Sequence, residues 1–154
     1  MDRICQGDMR KGHGSHLKRY EQFPHTADIG VRVFGHDLKE LFENAAFAMF
    51  DIIADLEGLK DDLSRQFKIT APSKEELLIA WLDELLYNFC TKEIIFSRFD
   101  ISAISDTSLS AAAHGRAVAA NRNRLKTEIK AATYHNLEIK KTAEGYSVEI
   151  VFDV

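Results

Sequence analysis

Two stretches of this chain carry apolar residues at the spacing of a helix face, and the rest must fold around them. Leu38, Leu41, Phe42, Ala45, Met49, Ile52 and Ile53 recur three and four positions apart. That puts them along one side of a helix from Leu38 to about Ala54, with Lys39, Glu40 and Glu43 outside. Asp37 stands where its carboxylate can accept the free amides of the first turn. The second stripe is Leu78, Trp81, Leu82, Leu85, Leu86 and Phe89. Ser73 follows Pro72 as its cap, and Glu76 three residues on completes a capping-box pattern. At this spacing Trp81 reads as core.

The remaining apolar runs alternate with period two. Tyr20–Phe23 reads as a short strand and 24–28 as a turn. Ile29–Phe34 is a strand with Ile29, Val31 and Val33 on one face. Further strands are expected at about Ser64–Ala71, Ile94–Ile104, Ser108–Ala120, Glu128–Thr133, Leu137–Thr142 and Tyr146–Phe152, with Glu144-Gly145 turning the last hairpin. The expected class is α+β, with two helices packed on one side of a mostly antiparallel sheet of six or seven strands. Residues 1–19 show no apolar periodicity and read as a flexible N-terminal tail, leaving 20–154 as a single domain. His13 and His16 belong to that tail, which favours a tail over a metal site.

Charge narrows the function. Residues 21–100 hold 16 acidic and 8 basic groups, and the whole chain of 154 residues carries a net −4. A protein that grips nucleic acid by its phosphates is expected to show a basic stripe instead. Only the tail and the Arg122, Arg124, Lys126 cluster lean that way. Cys5 and Cys90 are too few for a disulfide framework, which with no signal peptide points to the cytoplasm. No nucleotide-binding glycine pattern, nucleophile elbow or zinc-protease motif is present.

Three places could carry chemistry. In His25-Thr26-Ala27-Asp28, a turn between strands, the Asp28 carboxylate stands at a sheet edge, although Thr26 and Asp28 could equally serve the turn backbone. At Phe152-Asp153-Val154, a strand stopping on Asp-Val sets a side-chain carboxylate beside the chain's own α-carboxylate. A hard cation would relieve their repulsion; the alternative is a solvated chain end. In Lys130–His135, Lys130 shares a strand face with Ala132 and could meet an acidic site or a phosphate, or simply face water.

The segment Phe23–Val31 (FPHTADIGV) resembles the opening motif of the archease family. The helix Leu38–Ile53, with Glu43-Asn44-Ala45-Ala46 at its middle, continues the likeness. Glu128–Leu137 (EIKAATYHNL) resembles the family's second signature, and Val151-Phe152-Asp153-Val154 its ending. The resemblance implies an accessory protein, not an enzyme, for the GTP-dependent RNA ligase of tRNA splicing and RNA repair. Such a protein promotes ligase guanylylation and multiple turnover, and touches RNA only indirectly. It also implies a divalent cation, Ca2+ first with Mg2+ or Mn2+ as other candidates, held by Asp28, Asp153 and Val154. Lys130 and His25 become candidates for acting on the ligase. The alternative is a chaperone-like modulator of another tRNA-processing enzyme, such as a tRNA methyltransferase. One stretch, Gly115–Asn123, departs from the family pattern by being more basic and more apolar.

Overall fold

The computed structural model describes residues 19–25 and 28–154, with the side chains of Pro24 and His25 outside that description. The expected tail therefore lies, apart from Arg19, outside the described residues. The Arg19 carbonyl accepts the Phe34 amide at 3.1 Å, so strand-like contacts begin one residue before Tyr20.

The chain runs β1 (Tyr20–His25), β2 (Asp28–Gly35), α1 (Leu38–Ile53), β3 (Leu63–Thr70), α2 (Lys74–Lys92), β4 (Ile94–Ile104) and β5 (Ser108–Ala117). A 3-10 helix (Ala119–Arg124), β6 (Ala131–Thr133), β7 (Lys140–Thr142) and β8 (Gly145–Asp153) follow. Both helix starts are as expected. Asp37 accepts the Glu40 amide at 2.8 Å. The Ser73 hydroxyl accepts the Glu76 amide at 3.2 Å and donates to its carboxylate at 3.1 Å. Trp81 is fully buried, and its indole N–H donates to the Phe42 carbonyl at 3.0 Å, joining the two helices.

The class is α+β, but the strands form two antiparallel sheets. The larger runs β1-β2-β8-β6, with β7 also pairing β8; the smaller runs β3-β5-β4. Each helix packs against strands of both sheets. The reason lies in α1. Beyond the expected stripe it also buries Ala46, Ala48 and Phe50 completely, so it is apolar nearly all round. A helix of that kind belongs between layers rather than on a surface. Phe50 meets Phe96 and Phe99 of β4, ring centroids 5.5 and 5.9 Å away.

β1 and β2 pair as far as His25–Asp28, inside the expected 24–28 turn, and three later strands depart further from expectation. β5 stops at Ala117, and the chain turns into the 3-10 helix where a strand was expected to reach Ala120. The expected strand from Glu128 is only Ala131–Thr133. Just before it, the Lys126 and Thr127 amides donate to the Ile53 carbonyl at 2.7 and 3.4 Å, closing the end of α1. β7 begins at Lys140 because the Ile139 amide is taken by the Glu75 carboxylate at 3.0 Å. Among the described residues no helix is long and apolar enough to cross a membrane.

Candidate functional site

In the larger sheet, residues directly opposite one another share a face, so its outer face can be read in rows. The first row is Glu21, Arg32 and Glu149 on β1, β2 and β8. Arg32 binds both acids, Nη1 to Glu21 at 2.6 Å and Nε to Glu149 at 2.9 Å. The next row is Phe23, Gly30, Val151 and Thr133. Gly30 lies so close to the Phe23 ring that a Cβ on it would stand 2.4 Å from the ring edge. Only glycine lets that aromatic lie flat across β2. The Thr133 hydroxyl donates to the Val151 carbonyl at 2.9 Å and fastens β6 to β8.

The third row lies at the end of the sheet. His25 pairs with Asp28 across the β1–β2 hairpin, and Asp153 pairs with Ala131 across β8 and β6. The β2–β8 ladder ends at Ile29–Phe152, and the next residue on each strand is Asp28 and Asp153. The two aspartates are thus neighbours on adjoining strands, and the pleat gives them the same face as Arg32 and Glu149. Residues more than a hundred positions apart meet because β8 inserts between β2 and β6.

Asp28 is half-buried and Asp153 exposed, and Val154 packs its half-buried side chain against the core. Lys130 also reaches this end, where its amide donates to the Asp153 carbonyl at 2.7 Å. By the alternation of β6 it is Ala131 that shares the aspartates' face, while Lys130 stands one step off it with its side chain exposed. The structure brings Asp28, Asp153, Val154 and Lys130 to one sheet end. The His25 backbone is there too, whereas its side chain, with Thr26 and Ala27, is outside the described residues.

Residues of this end that the sequence did not single out are Thr133 and Asp83. The Asp83 carboxyl on α2 faces the Ala132 amide from beyond the edge of β6. Burial raises its pKa, and the amide works in the opposite direction. No short-range pattern marks Asp83, because its role depends on a strand some fifty positions later.

Two carboxylates at neighbouring positions on one face repel each other. Among the described residues no three His, Cys, Asp or Glu side chains form a metal-holding group. The expected donor set contains two such side chains, the third oxygen coming from Val154.

The departing stretch Gly115–Asn123 is tied to its own chain. Arg116 Nη1 donates to the Lys60 carbonyl at 3.5 Å and its Nη2 lies 3.5 Å from the Asp62 carboxylate. Arg122 meets Glu93 at 3.3 Å. Just beyond, Arg124 Nη1 donates to the carbonyls of Asp55 and Glu57 at 3.0 and 2.7 Å. Arg116 and Arg124 pin the α1–β3 loop, while Arg122 holds the end of α2.

The sequence profile of the Archease protein family matches residues 20–154. The protein archease of Methanosarcina acetivorans is 42% identical over 141 residues, covering 89% of this chain and 97% of that protein. The archease of Sulfurisphaera tokodaii is 33% identical over 139 residues, covering 90% of this chain and 100% of the relative. Among solved structures, the solution structure of protein 1598 of Methanobacterium thermoautotrophicum superposes with a TM-score of 0.75 at 34% identity. That match covers 90% of this chain and 100% of that one. The crystal structure of an archease and possible chaperone from Thermotoga maritima shares the fold, with a TM-score of 0.63 at 22% identity. It covers 92% of this chain and 100% of that one.

Proposed function

The chain belongs to the archease family, and from that premise we propose that it is an accessory factor activating a GTP-dependent RNA ligase. It promotes the ligase's guanylylation and repeated turnover and is not itself a catalyst. The observation that supports this reading is the neighbouring placement of Asp28 and Asp153 on β2 and β8 at one end of the larger sheet. An accessory protein can act on phosphoryl transfer without a nucleophile of its own, because that chemistry depends on positioning and charge neutralisation.

Asp28, Asp153 and the Val154 carboxyl group would hold a divalent cation, Ca2+ by preference and Mg2+ or Mn2+ by the same donor chemistry. The cation would supply a local positive charge that neutralises the two carboxylates. The chain's own part is to hold those oxygens on a rigid sheet end. β8 is fixed from both sides, by β2 and by the Lys130 amide and Thr133 hydroxyl of the β6 segment. Lys130 and His25 flank the aspartates and are the residues assigned to contact with the ligase. RNA is met through the ligase, and the acidic body of the chain suits an enzyme's cationic cleft better than a nucleic acid.

The test is ligase guanylylation at limiting ligase, with and without this chain and at defined divalent cation. Stimulation by the chain, lost in the Asp28→Asn variant, is the expected result. Absence of stimulation, with association instead to an enzyme such as a tRNA methyltransferase, would favour the chaperone-like alternative.

A further inference from the structure

The edges of the two sheets are not treated alike. β4, at one edge of the smaller sheet, is broken by two register shifts, and Glu43 accepts its Ile101 amide at 2.9 Å. The edge of β6 is faced by Asp83. β1 carries Pro24, which has no amide to offer, and β7 is three residues long. β3 has none of these devices. Its eight residues pair with β5 in unbroken register, and among the described residues no strand pairs its other side. Among the described residues, no side chain accepts a hydrogen bond from any β3 amide.

A shallow trough of about 420 Å³ runs along that open edge, walled by Gln66–Thr70 of β3 and by Ala80 and Glu84 of α2. β3 also carries two exposed cations, Arg65 and Lys68. Among the described residues neither forms an ion pair, and Arg65 donates only to the Ser64 carbonyl at 3.1 Å. They stand three positions apart, so in a strand they lie on opposite faces. Two like charges on the edge also disfavour pairing with a second β3.

We infer that the β3 edge is a docking site for an extended acidic segment of a protein partner, which adds to the smaller sheet as a fourth strand. Backbone hydrogen bonds supply the attachment, and side chains supply the selection. The segment carries two acidic residues three positions apart, one opposite Arg65 and one opposite Lys68. Glu84 on the far wall of the trough excludes a third acid there and favours a neutral or basic side chain. This inference is independent of the aspartates at the end of the larger sheet.

The probe is a capped peptide of alternating threonine and valine with two glutamates three positions apart, titrated into the full chain. Amide chemical shifts locate binding, and anisotropy of the labelled peptide measures it. The expected result is shifts centred on Leu63–Thr70, with a peptide carrying lysines in place of the glutamates binding about tenfold more weakly, the sum of two cross-strand charge pairs. The double reversal R65E and K68E, both at exposed positions, inverts that preference. Shifts elsewhere, no shifts at all, or equal affinity for the two peptides would overturn the inference. So would a concentration-dependent dimer of the chain alone that protects the β3 amides, which would make a second copy the occupant.

Discussion

The amide of Lys130 donates to the carbonyl of Asp153 at 2.7 Å, binding the approach to β6 to the strand that ends at the acidic row. Asp153 is therefore fixed by its backbone while its side chain stays exposed. Changing that side chain should alter charge without disturbing the ladder. Asp153→Asn is expected to weaken Ca2+ binding by at least about tenfold, since one of two charged side-chain donors is removed. Calorimetric titration with Ca2+ measures this. Without divalent cation the same variant should melt about 2 °C higher, because a like-charged cross-strand neighbour is gone. Melting curves with and without Ca2+ should thus shift in opposite senses. An unchanged Ca2+ affinity would remove Asp153 from the site.

Arg124 supplies a contrast, for its guanidinium holds the carbonyls of Asp55 and Glu57. Arg124→Ala should cost roughly 1–3 kcal/mol, as charged hydrogen bonds to backbone do. Amide exchange should rise through residues 55–62. Ligase stimulation at a temperature where the variant is folded should be unchanged. A loss there would transfer Arg124 from scaffold to interface.

Glu43 gives a pH dependence. Its carboxyl is half-buried and accepts the Ile101 amide, and burial raises its pKa above the ordinary 4.5. The folded state thus binds the Glu43 proton more tightly than the unfolded state. Its contribution to stability is fully present below 4.5 and is lost as pH rises through the raised value. Glu43→Gln keeps an acceptor for Ile101 and has no charge to bury. Urea melts should show it more stable than the parent at neutral pH, the difference vanishing in acid. Glu43→Ala, which leaves the Ile101 amide without its acceptor, should instead be destabilised by about 1–3 kcal/mol at either pH.

Trp81 has a structural role. Trp81→Phe retains an aromatic ring beside Phe67 and Phe99 but removes the N–H that reaches the Phe42 carbonyl. The loss should be about 2 kcal/mol, with one buried acceptor left unmade and a small cavity added. Guanylylation of the ligase at moderate temperature should be untouched.

What the sequence made legible was local. The stripe from Leu38 and the Ser73–Glu76 cap specify helices by contacts within a few residues, and both helices begin where those signals place them. The alternation at Ile29, Val31 and Val33 likewise marks β2. Partnership between strands was not legible. Nothing near Ile29 says that it pairs with Phe152 rather than with β3, because register is settled by packing across the whole fold. The aspartates were matched through family likeness, and the register supplies the geometric reason. The Ala117–Ala120 end of the expected strand departs because the chain turns there into the 3-10 helix, and the amides that follow, of Lys126 and Thr127, are needed at the end of α1. The second sheet was hidden in plain residues. Ala46, Ala48 and Phe50 fall outside the stripe, yet all three are fully buried, and Phe50 meets Phe96 and Phe99 of the smaller sheet.

β8 follows every other strand in the chain yet lies inside the larger sheet, between β2 and β6. The smaller sheet and both helices are encoded before it, and the β1–β2 hairpin can close on its own. The row containing Asp28 and Asp153 cannot. It comes into being only when β8 pairs with β2, a pairing of high sequence separation and correspondingly slow formation. Any molecule that recognises this end of the sheet therefore recognises finished copies alone. A truncated or half-folded chain presents neither the row nor the surface beside it, so recognition of this end reports completed folding.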